Sequence, residues 1–201
     1  MRKAMFLMAL MMIGATVHAV QIVPKANIDL PGKFSMSGNG VTLNGDTATG
    51  FGLGMECLAP VYEKLKAGIG LQYLLGRKVT SLEGRTMSDN NAFGHVPLYG
   101  TLQYSFSLPA NPYIPSLNMG YGKVNLGYSM AYYGNDDFKG TTTMNGGLYW
   151  GIGAGTIIND KIVFEIMYDS FKGEQKAASG LAIDEPYNKV SISIGYLFDL
   201  K

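Results

Sequence analysis

The sequence predicts an all-β protein: an eight-stranded antiparallel up-and-down transmembrane β-barrel that follows a cleaved signal peptide. Three observations predict this fold class. Apolar residues alternate with small or polar ones at a period of two through most of the chain after residue 47. The face opposite the apolar residues is rich in glycine; the chain holds 27 glycines and only 15% charged residues, against about 25% in soluble domains. Short and long connections alternate between the strands.

The first 19 residues differ in composition from the rest. The basic start "MRK" precedes the uncharged apolar run "AMFLMALMMIGAT", and Val17 and Ala19 then occupy the positions that precede a cleavage site. The apolar run is shorter than the roughly 20 residues that a membrane-spanning helix needs. We therefore expect a signal peptide over residues 1–19, cleaved before Val20, and a barrel domain over residues 20–201. An uncleaved N-terminal anchor is the alternative.

Seven segments show the strand pattern. In "GGLYWGIGAG", Leu148, Trp150 and Ile152 alternate with Gly151 and Gly153. This segment lacks the G-x-G-x-x-G spacing of a nucleotide-binding loop and no helical pattern follows it, so we interpret it as a strand. The seven are TGFGLGMECL (49–58), AGIGLQYLLGRKV (67–79), VPLYGTLQYSF (96–106), VNLGYSMAYY (124–133), GGLYWGIGAG (146–155), KIVFEIMYDS (161–170) and KVSISIGYLFDL (189–200).

An eighth strand is expected over residues 33–43, where the alternation is weaker and the start can lie several residues earlier. It leaves a short connection at 44–47, on the side where the other connections are long. Long loops on one side and short turns on the other are typical of transmembrane barrels. Short connections are expected at 60–64 and 159–160 and a moderate one at 109–115, with long polar ones at 80–94, 134–145 and 173–186.

The alternation alone leaves open which face of the sheet points inward. In a soluble, lipocalin-like ligand-binding barrel the apolar face would point inward around a lipid, and the outer face would carry many charges. Here the opposite face is mainly glycine, serine, alanine, asparagine and glutamine, which suits a narrow lumen filled by side chains. We therefore expect the apolar face to contact lipid. Aromatic girdles are then expected from Tyr73, Phe106, Tyr132, Tyr133, Tyr168, Phe171, Tyr187, Tyr196 and Phe198.

Strand parity also predicts which polar residues point into the lumen. Buried charges must be paired, so we expect Lys123 to pair with Glu165 or Glu56. Lys78, Lys161 and Lys189 lie near strand ends. A plugged lumen is favoured over a gated polar pore or proton path, because eight-stranded interiors are usually filled. The expected lumen network consists of Glu56, Gln72, Gln103, Lys123, Glu165 and Asp169.

The residues that catalysis or metal binding would need are scarce. Beyond the signal peptide the sequence has one histidine, His95, and one cysteine, Cys57. We expect His95 at a solvent edge and Cys57 as a small apolar strand residue, and we expect no catalytic residue, no metal and no cofactor. Without Arg2 and Lys3 the chain has 14 basic and 15 acidic side chains, which argues against a nucleic-acid partner.

Six segments carry a resemblance to a known group of proteins: "FGLGMECLAP", "HVPLYGTLQYSF", "PYIPSLNMGYG", "GGLYWGIGAG", "FEIMYDSFKGE" and "KVSISIGYLF". Over residues 20–201 the chain resembles the small outer-membrane β-barrel proteins of Gram-negative bacteria, the group of opacity proteins, the OmpA barrel and OmpX-like proteins. The resemblance includes a C-terminal assembly signal, which Ser193, Gly195, Phe198 and Leu200 match. Lys201 departs from it, since many members end on the aromatic residue.

The resemblance implies an integral protein of the cell outer membrane, exported through a Sec-type signal peptide. It implies a structural or surface-interaction role without catalysis, with loops 80–94, 134–145 and 173–186 as the contact surface. The implied partners are outer-membrane lipid, the barrel-assembly machinery that reads the last strand, and a surface partner bound through the loops. Besides the soluble ligand-binding barrel, a narrow outer-membrane channel remains an alternative.

Overall fold

The computed structural model describes residues 20–38, 41–86, 92–109, 117–133, 142–177 and 182–200. The expected signal peptide, residues 1–19, lies outside these ranges. None of the described residues forms a helix long and apolar enough to cross a membrane. Within the described ranges the strands are β1 (Val20–Asp29), β2 (Lys33–Gly38), β3 (Val41–Thr47), β4 (Gly50–Tyr62), β5 (Leu65–Leu82), β6 (Arg85–Thr86), β7 (Ala92–Ser107), β8 (Leu117–Tyr133), β9 (Thr142–Asn145), β10 (Gly147–Ile158), β11 (Ile162–Ala177), β12 (Ala182–Tyr196) and β13 (Phe198–Leu200).

Eight long strands close into an antiparallel barrel, as the sequence predicts. The ladder runs β1–β4–β5–β7–β8–β10–β11–β12 and returns from β12 to β1. Beyond Leu197 the last strand continues as β13, which pairs with the start of β1. Closure leaves the eight-stranded wall without a free edge, so the backbone groups of the barrel are satisfied by neighbouring strands.

The outer face of the barrel is apolar, and this decides the orientation of the strands. Large hydrophobic side chains point outward from every wall strand; Leu126 on β8 is 56% exposed. Ile192 and Ile194 on β12 are 44% and 50% exposed. A soluble barrel with an apolar interior requires these two side chains to point inward, so the lipocalin-like alternative is wrong.

The first strand differs from the prediction. β1 covers residues 20–29, whereas the expected strand at 33–43 is split between β2 and β3, and 44–47 belongs to β3 instead of a connection. β2 pairs with β12 and β3 pairs with β5, so this hairpin extends the barrel wall. The sequence of β1 shows little alternation because two of its outward residues give a weak signal. Pro24 is a poor strand former, and Ala26 is only weakly apolar.

Strands also occupy part of the expected long loops. β5 runs to Leu82 and turns into β6, within the expected loop 80–94. β11 and β12 remain paired from Lys176 and Ala182, within the expected loop 173–186. Residues 87–91, 134–141 and 178–181 lie outside the described part of the chain, but β9 falls within the expected loop 134–145. We call this extended side of the wall the loop end of the barrel.

The opposite side, the turn end, carries the short connections. β4 continues to Tyr62, so the turn expected at 60–64 is reduced to residues 63–64. Most of the turn expected at 109–115 lies outside the described residues. Between β10 and β11, Asn159 and Asp160 have positive φ values of 52° and 57°. Two successive residues of this kind form the hairpin turn that matches the twist of the flanking strands.

The turn at Asn159 gives a first prediction. Replacing Asn159 with valine is expected to lower the free energy of unfolding by about 1–2 kcal/mol, because a β-branched side chain disfavours positive φ. Asp160→Gly is the control, since glycine adopts this conformation without strain. Urea unfolding of the refolded barrel in detergent measures both. Equal stability of Asn159→Val and the parent would contradict the assigned turn.

Candidate functional site in the barrel lumen

The lumen is filled in layers along the barrel axis. At the turn end an apolar cluster contains Val23, Leu58, Tyr121, Ile157, Val163 and Leu197. At the loop end a second cluster contains Phe34, Leu74, Phe93, Tyr99, Tyr149, Phe171 and Tyr187. Two clusters of charged side chains lie against these apolar clusters; Arg77 and Lys189, for example, lie over the rings of Tyr187 and Phe171 in the loop-end cluster. One charged cluster contains Lys25 and the other contains Asp29. These two residues are four positions apart on β1, which is about 13 Å along the strand.

The cluster nearer the turn end, which we call the inner ion cluster, consists of Lys25, Glu56, Lys123 and Glu165. The Nζ atom of Lys25 lies 2.7 Å from Glu56 Oε2 and 2.9 Å from Glu165 Oε1. Lys123 Nζ contacts Glu56 and lies 2.9 Å from Glu165 Oε2. Two positive and two negative side chains alternate, so each charge contacts two opposite charges and the formal charge of the cluster is zero.

Two tyrosines complete the inner ion cluster. The Tyr99 hydroxyl donates to Glu56 Oε1 at 2.8 Å, and the Tyr121 hydroxyl donates to Glu165 Oε2 at 3.0 Å. Each carboxylate therefore accepts one neutral and two charged donors. All four charged side chains are at most 5% exposed. Buried ion pairs are tolerated when further hydrogen bonds satisfy their remaining lone pairs, and this cluster meets that condition.

The outer ion cluster, nearer the loop end, consists of Asp29, Arg77, Asp169 and Lys189. Asp29 contacts both Arg77 and Lys189, and Lys189 Nζ lies 3.6 Å from Asp169 Oδ2. Arg77 also donates to the Tyr187 hydroxyl. This cluster too has two positive and two negative members, so both charged layers of the lumen are formally neutral.

Neutral polar side chains hold the carboxylates of the outer ion cluster. Asp29 accepts from Asn27 at 2.9 Å. Asp169 accepts from the Tyr149 hydroxyl at 2.7 Å and from Ser191 at 3.0 Å. The two donors to Asp169 lie on β10 and β12, so that carboxylate is held from two sides, whereas the neutral donor to Asp29 lies on its own strand, β1.

Glycines allow the lumen tyrosines to lie flat against the wall. Gly70 on β5 is paired with Tyr99 on β7, and a Cβ at Gly70 would come within 2.4 Å of the Tyr99 ring. Gly155 on β10 is paired with Tyr121 on β8, and a Cβ there would come within 2.3 Å of that ring. The glycines at these positions are therefore required by the close approach of the rings that donate to the inner ion cluster.

The remaining space in the lumen is small. A cavity of about 10 Å³ lies between the inner ion cluster and the turn-end apolar cluster, where Lys25, Glu56, Gln103 and Tyr121 contribute to its lining. This is roughly the space that a single water molecule needs. Side chains thus fill the described part of the lumen at this level, and the site is a packed polar interior.

The fold matches that of known outer-membrane proteins. The outer membrane protein OprG from Pseudomonas aeruginosa is 14% identical, with 90% of this chain and 96% of that chain covered and a TM-score of 0.53. Neisserial surface protein A (NspA) is 11% identical over 89% of this chain and 99% of that chain, with a TM-score of 0.49. Ail of Yersinia pestis is 11% identical over 90% and 99%, with a TM-score of 0.45.

OprG, whose TM-score exceeds 0.5, shares its fold with this chain. This chain has the fold of an eight-stranded outer-membrane β-barrel. The resemblance predicted from the sequence segments is therefore confirmed at the level of the fold. No protein-family model and no curated protein matches the chain.

The outer-membrane barrel brings only some of the six predicted lumen residues together. Glu56, Lys123 and Glu165 meet in the inner ion cluster, and Asp169 belongs to the outer one. Gln72 and Gln103 are buried, at 6% and 4% exposure. The Oε1 atom of Gln72 has no hydrogen-bond partner within the described part of the chain.

Lumen residues that the sequence pattern did not identify lie on β1, β5 and β12. Lys25 and Asp29 were missed together with β1 itself. Arg77 was missed because the β5–β7 register shifts between Leu74 and Arg77. A strict period of two from Leu74 directs Arg77 outward, but this irregularity turns its side chain into the lumen. Lys189, placed near a strand end, is 2% exposed and belongs to the outer ion cluster.

Three aromatic side chains lie elsewhere than expected. His95 is 3% exposed and stacks on both Phe171 and Tyr187, with ring centroids 4.8 Å and 5.8 Å away, so its expected place at a solvent edge is wrong. Phe171 and Tyr187 are fully buried in the lumen and cannot belong to a girdle. No group of three potential metal ligands occurs among the described residues.

The residues of the expected C-terminal assembly signal divide between the two faces of the last strand. Ser193 is 3% exposed and lies on the lumen side, with Gly195 two residues further on. Phe198 and Leu200 on β13 point outward and are 49% and 50% exposed. The two large apolar members are thus displayed on the outer face, next to the first strand.

Proposed function

We propose that the protein is an integral barrel of the outer membrane with a closed lumen and a structural or surface-interaction role, without catalysis. The observation that carries this proposal is the neutral, fully packed lumen. Two ion clusters and two apolar clusters occupy the space that a solute would cross. These side chains leave no open passage at the levels that they occupy, and this does not favour the narrow-channel alternative.

Location in the outer membrane is supported by the apolar outer face. Ile152 and Ile166, on adjacent strands, are 53% and 58% exposed. A soluble protein rarely leaves so continuous an apolar surface in water. In this proposal residues 1–19 direct export through the Sec pathway, and Ser193, Gly195, Phe198 and Leu200 are read by the barrel-assembly machinery.

The loop end is the proposed contact surface. It includes the expected loops 80–94, 134–145 and 173–186, together with the β2–β3 hairpin, which the sequence pattern did not identify as part of the rim. β2 and β3 pair with each other and with β12 and β5, so the hairpin is held rigidly at the rim. Rigid scaffolds that display loops are a common basis for recognition.

The membrane barrel and its closed lumen are tested together. The folded protein is expected in the outer-membrane fraction, and it should migrate differently on an SDS gel before and after boiling. Purified barrel reconstituted in a planar bilayer is expected to show no unitary conductance. Recovery in the soluble fraction without a gel shift would overturn the membrane proposal. Steady unitary currents would overturn the closed lumen and favour the narrow channel.

The orientation of the rim gives another prediction. In a Cys57→Ser background, Thr42→Cys at the β2–β3 hairpin is expected to react with a membrane-impermeant maleimide in intact cells. Lys64→Cys at the turn end is the matched control and should react only after the cells are lysed. Both native side chains are exposed. The reverse pattern of labelling would place the loop end in the periplasm and contradict the proposed contact surface.

A further inference from the structure

A shallow apolar groove lies on the outer face where the first and last strands meet. We call it the seam groove; its volume is about 470 Å³. Pro24 and Ala26 on β1 form its floor. Leu53 on β4 bounds one side, and Ile194 and Tyr196 on β12 bound the other. It lies within the outward-facing apolar band of the barrel.

The groove follows from the residues of the seam. The outward side chains of β1 are short here, whereas Leu53 is 65% and Ile194 50% exposed. The β1 ladder with β12 and β13 is also interrupted between the pairs Ile22–Phe198 and Lys25–Gly195. Pro24 lies in this interruption and has no N–H to donate. A depression in the wall therefore coincides with the gap in the ladder.

An exposed cationic residue, Lys161, adjoins the groove in sequence at its turn end. Ile162 lines the groove, and Lys161 precedes it in the β10–β11 turn. The Leu197 N–H donates to the Lys161 carbonyl at 2.7 Å, which fixes this turn against the end of β12. The Lys161 side chain is exposed. Tyr196 and Phe198 have ring centroids 4.7 Å apart in the same corner, a pairing typical of a membrane interface.

We propose that the seam groove binds one phospholipid of the periplasmic leaflet, with an acyl chain against Pro24 and Ala26 and the phosphate at Lys161. This inference rests on the proposed location in the outer membrane. Pro24 and Ala26 are short and lie between the larger Leu53 and Tyr196, and a narrow apolar depression of this shape suits a linear acyl chain. Lys161 lies one residue nearer the turn end than Ile162. A phospholipid whose acyl chain lies along the groove would have its headgroup at this end, at the membrane interface.

Native mass spectrometry of the full barrel in detergent, titrated separately with phosphatidylglycerol and phosphatidylcholine, tests the groove. Ala26→Leu fills it and is expected to reduce binding of both lipids by about tenfold. Ala154→Leu is the matched control: it makes the same change at an outward-facing position on β10, away from the groove, and is expected to leave binding unchanged. Equal binding by these two variants would overturn the groove as the acyl site.

The headgroup contact is tested in the same titrations. Lys161→Gln is expected to reduce phosphatidylglycerol binding by about two- to fivefold, the range for an exposed ion pair, and to reduce phosphatidylcholine binding less, because the choline cation offsets the charge of its phosphate. Lys64→Gln, at another exposed turn, is the control and should change neither. An equal effect of the two lysine changes would overturn the role of Lys161.

Failure of this inference is distinguishable from failure of the proposed function. The gel shift on boiling and the outer-membrane fraction report the barrel, and Ala26→Leu should preserve both. A barrel that passes these tests but retains no lipid overturns the seam groove alone. A barrel that fails them overturns the membrane location on which the groove depends.

Discussion

Replacing Lys123 with methionine is expected to lower the free energy of unfolding of the barrel by about 3–5 kcal/mol. Lys123 contacts both carboxylates of the inner ion cluster, Glu56 and Glu165. Without it, two buried carboxylates share the single ammonium of Lys25, and the cluster carries an uncompensated negative charge. Methionine retains most of the side-chain volume, so the loss reports charge compensation more than packing. Urea unfolding in detergent micelles, followed by tryptophan fluorescence from Trp150, measures the change.

A double-mutant cycle with Glu56→Gln is the control for this prediction. Glu56→Gln alone leaves an excess positive charge and is also expected to destabilise the barrel. The double variant Glu56→Gln, Lys123→Met restores neutrality and keeps the Lys25–Glu165 pair at 2.9 Å. Its loss of stability should therefore be smaller than the sum of the two single losses. Additive losses would show that the two side chains are not coupled and would contradict the inner ion cluster.

Introducing arginine at Leu126 is expected to prevent stable insertion or to lower the free energy of unfolding in a bilayer by about 2–4 kcal/mol. Leu126 lies near the middle of β8 and points outward with 56% exposure. In lipid, the arginine must leave water for hydrocarbon, and the cost is greatest near the bilayer midplane. Reversible unfolding of the barrel in phospholipid vesicles measures the effect.

Val41→Arg provides the matched comparison, because Val41 is 59% exposed but lies on the β2–β3 hairpin of the loop end. There the arginine remains in water, and we expect little change in the free energy of unfolding, within about 0.5 kcal/mol. The difference between the two variants therefore measures the lipid contact directly. If both substitutions were equally harmless, the apolar face around Leu126 would not be embedded in a membrane.

The extent to which the fold could be predicted depended on the size of the outward side chains. β10 alternates Leu148, Trp150 and Ile152 with Tyr149, Gly151 and Gly153, and a period of two is evident there. In β1 every second residue also points outward, but Pro24 and Ala26 make its outward face only slightly more hydrophobic than its inward face. The next segment, residues 33–43, alternates weakly, and the period of two therefore predicts the first strand there and not at β1. Its two halves pair with each other as β2 and β3, a long-range arrangement that local alternation does not specify.

The lumen residues were predictable only where strand parity was uninterrupted. Glu56, Lys123 and Glu165 occupy regular positions, and their inward direction follows from their large apolar neighbours. The position of Arg77 depends on an irregularity in β5 between Leu74 and Arg77. The one local signal for it is Gly76, because an isolated glycine within a strand pattern often marks a bulge. His95 was assigned to a solvent edge because isolated polar residues near strand ends are usually solvated. The aromatic rings of Phe171 and Tyr187, distant in sequence, bury it.

The distribution of the inner ion cluster over the chain affects how the barrel assembles. Lys25 comes from the first wall strand, Glu56 from the second, Lys123 from the fifth and Glu165 from the seventh. Until the first strand has joined the last, Glu165 and Glu56 lack one of their two ammonium partners. In a half-closed intermediate Glu56 can keep Lys25 and Glu165 can keep Lys123, but only hydration can replace the second ammonium partner of each carboxylate. Closure removes that need in one step, so the electrostatics of the interior favour an all-or-none transition between open and closed sheets.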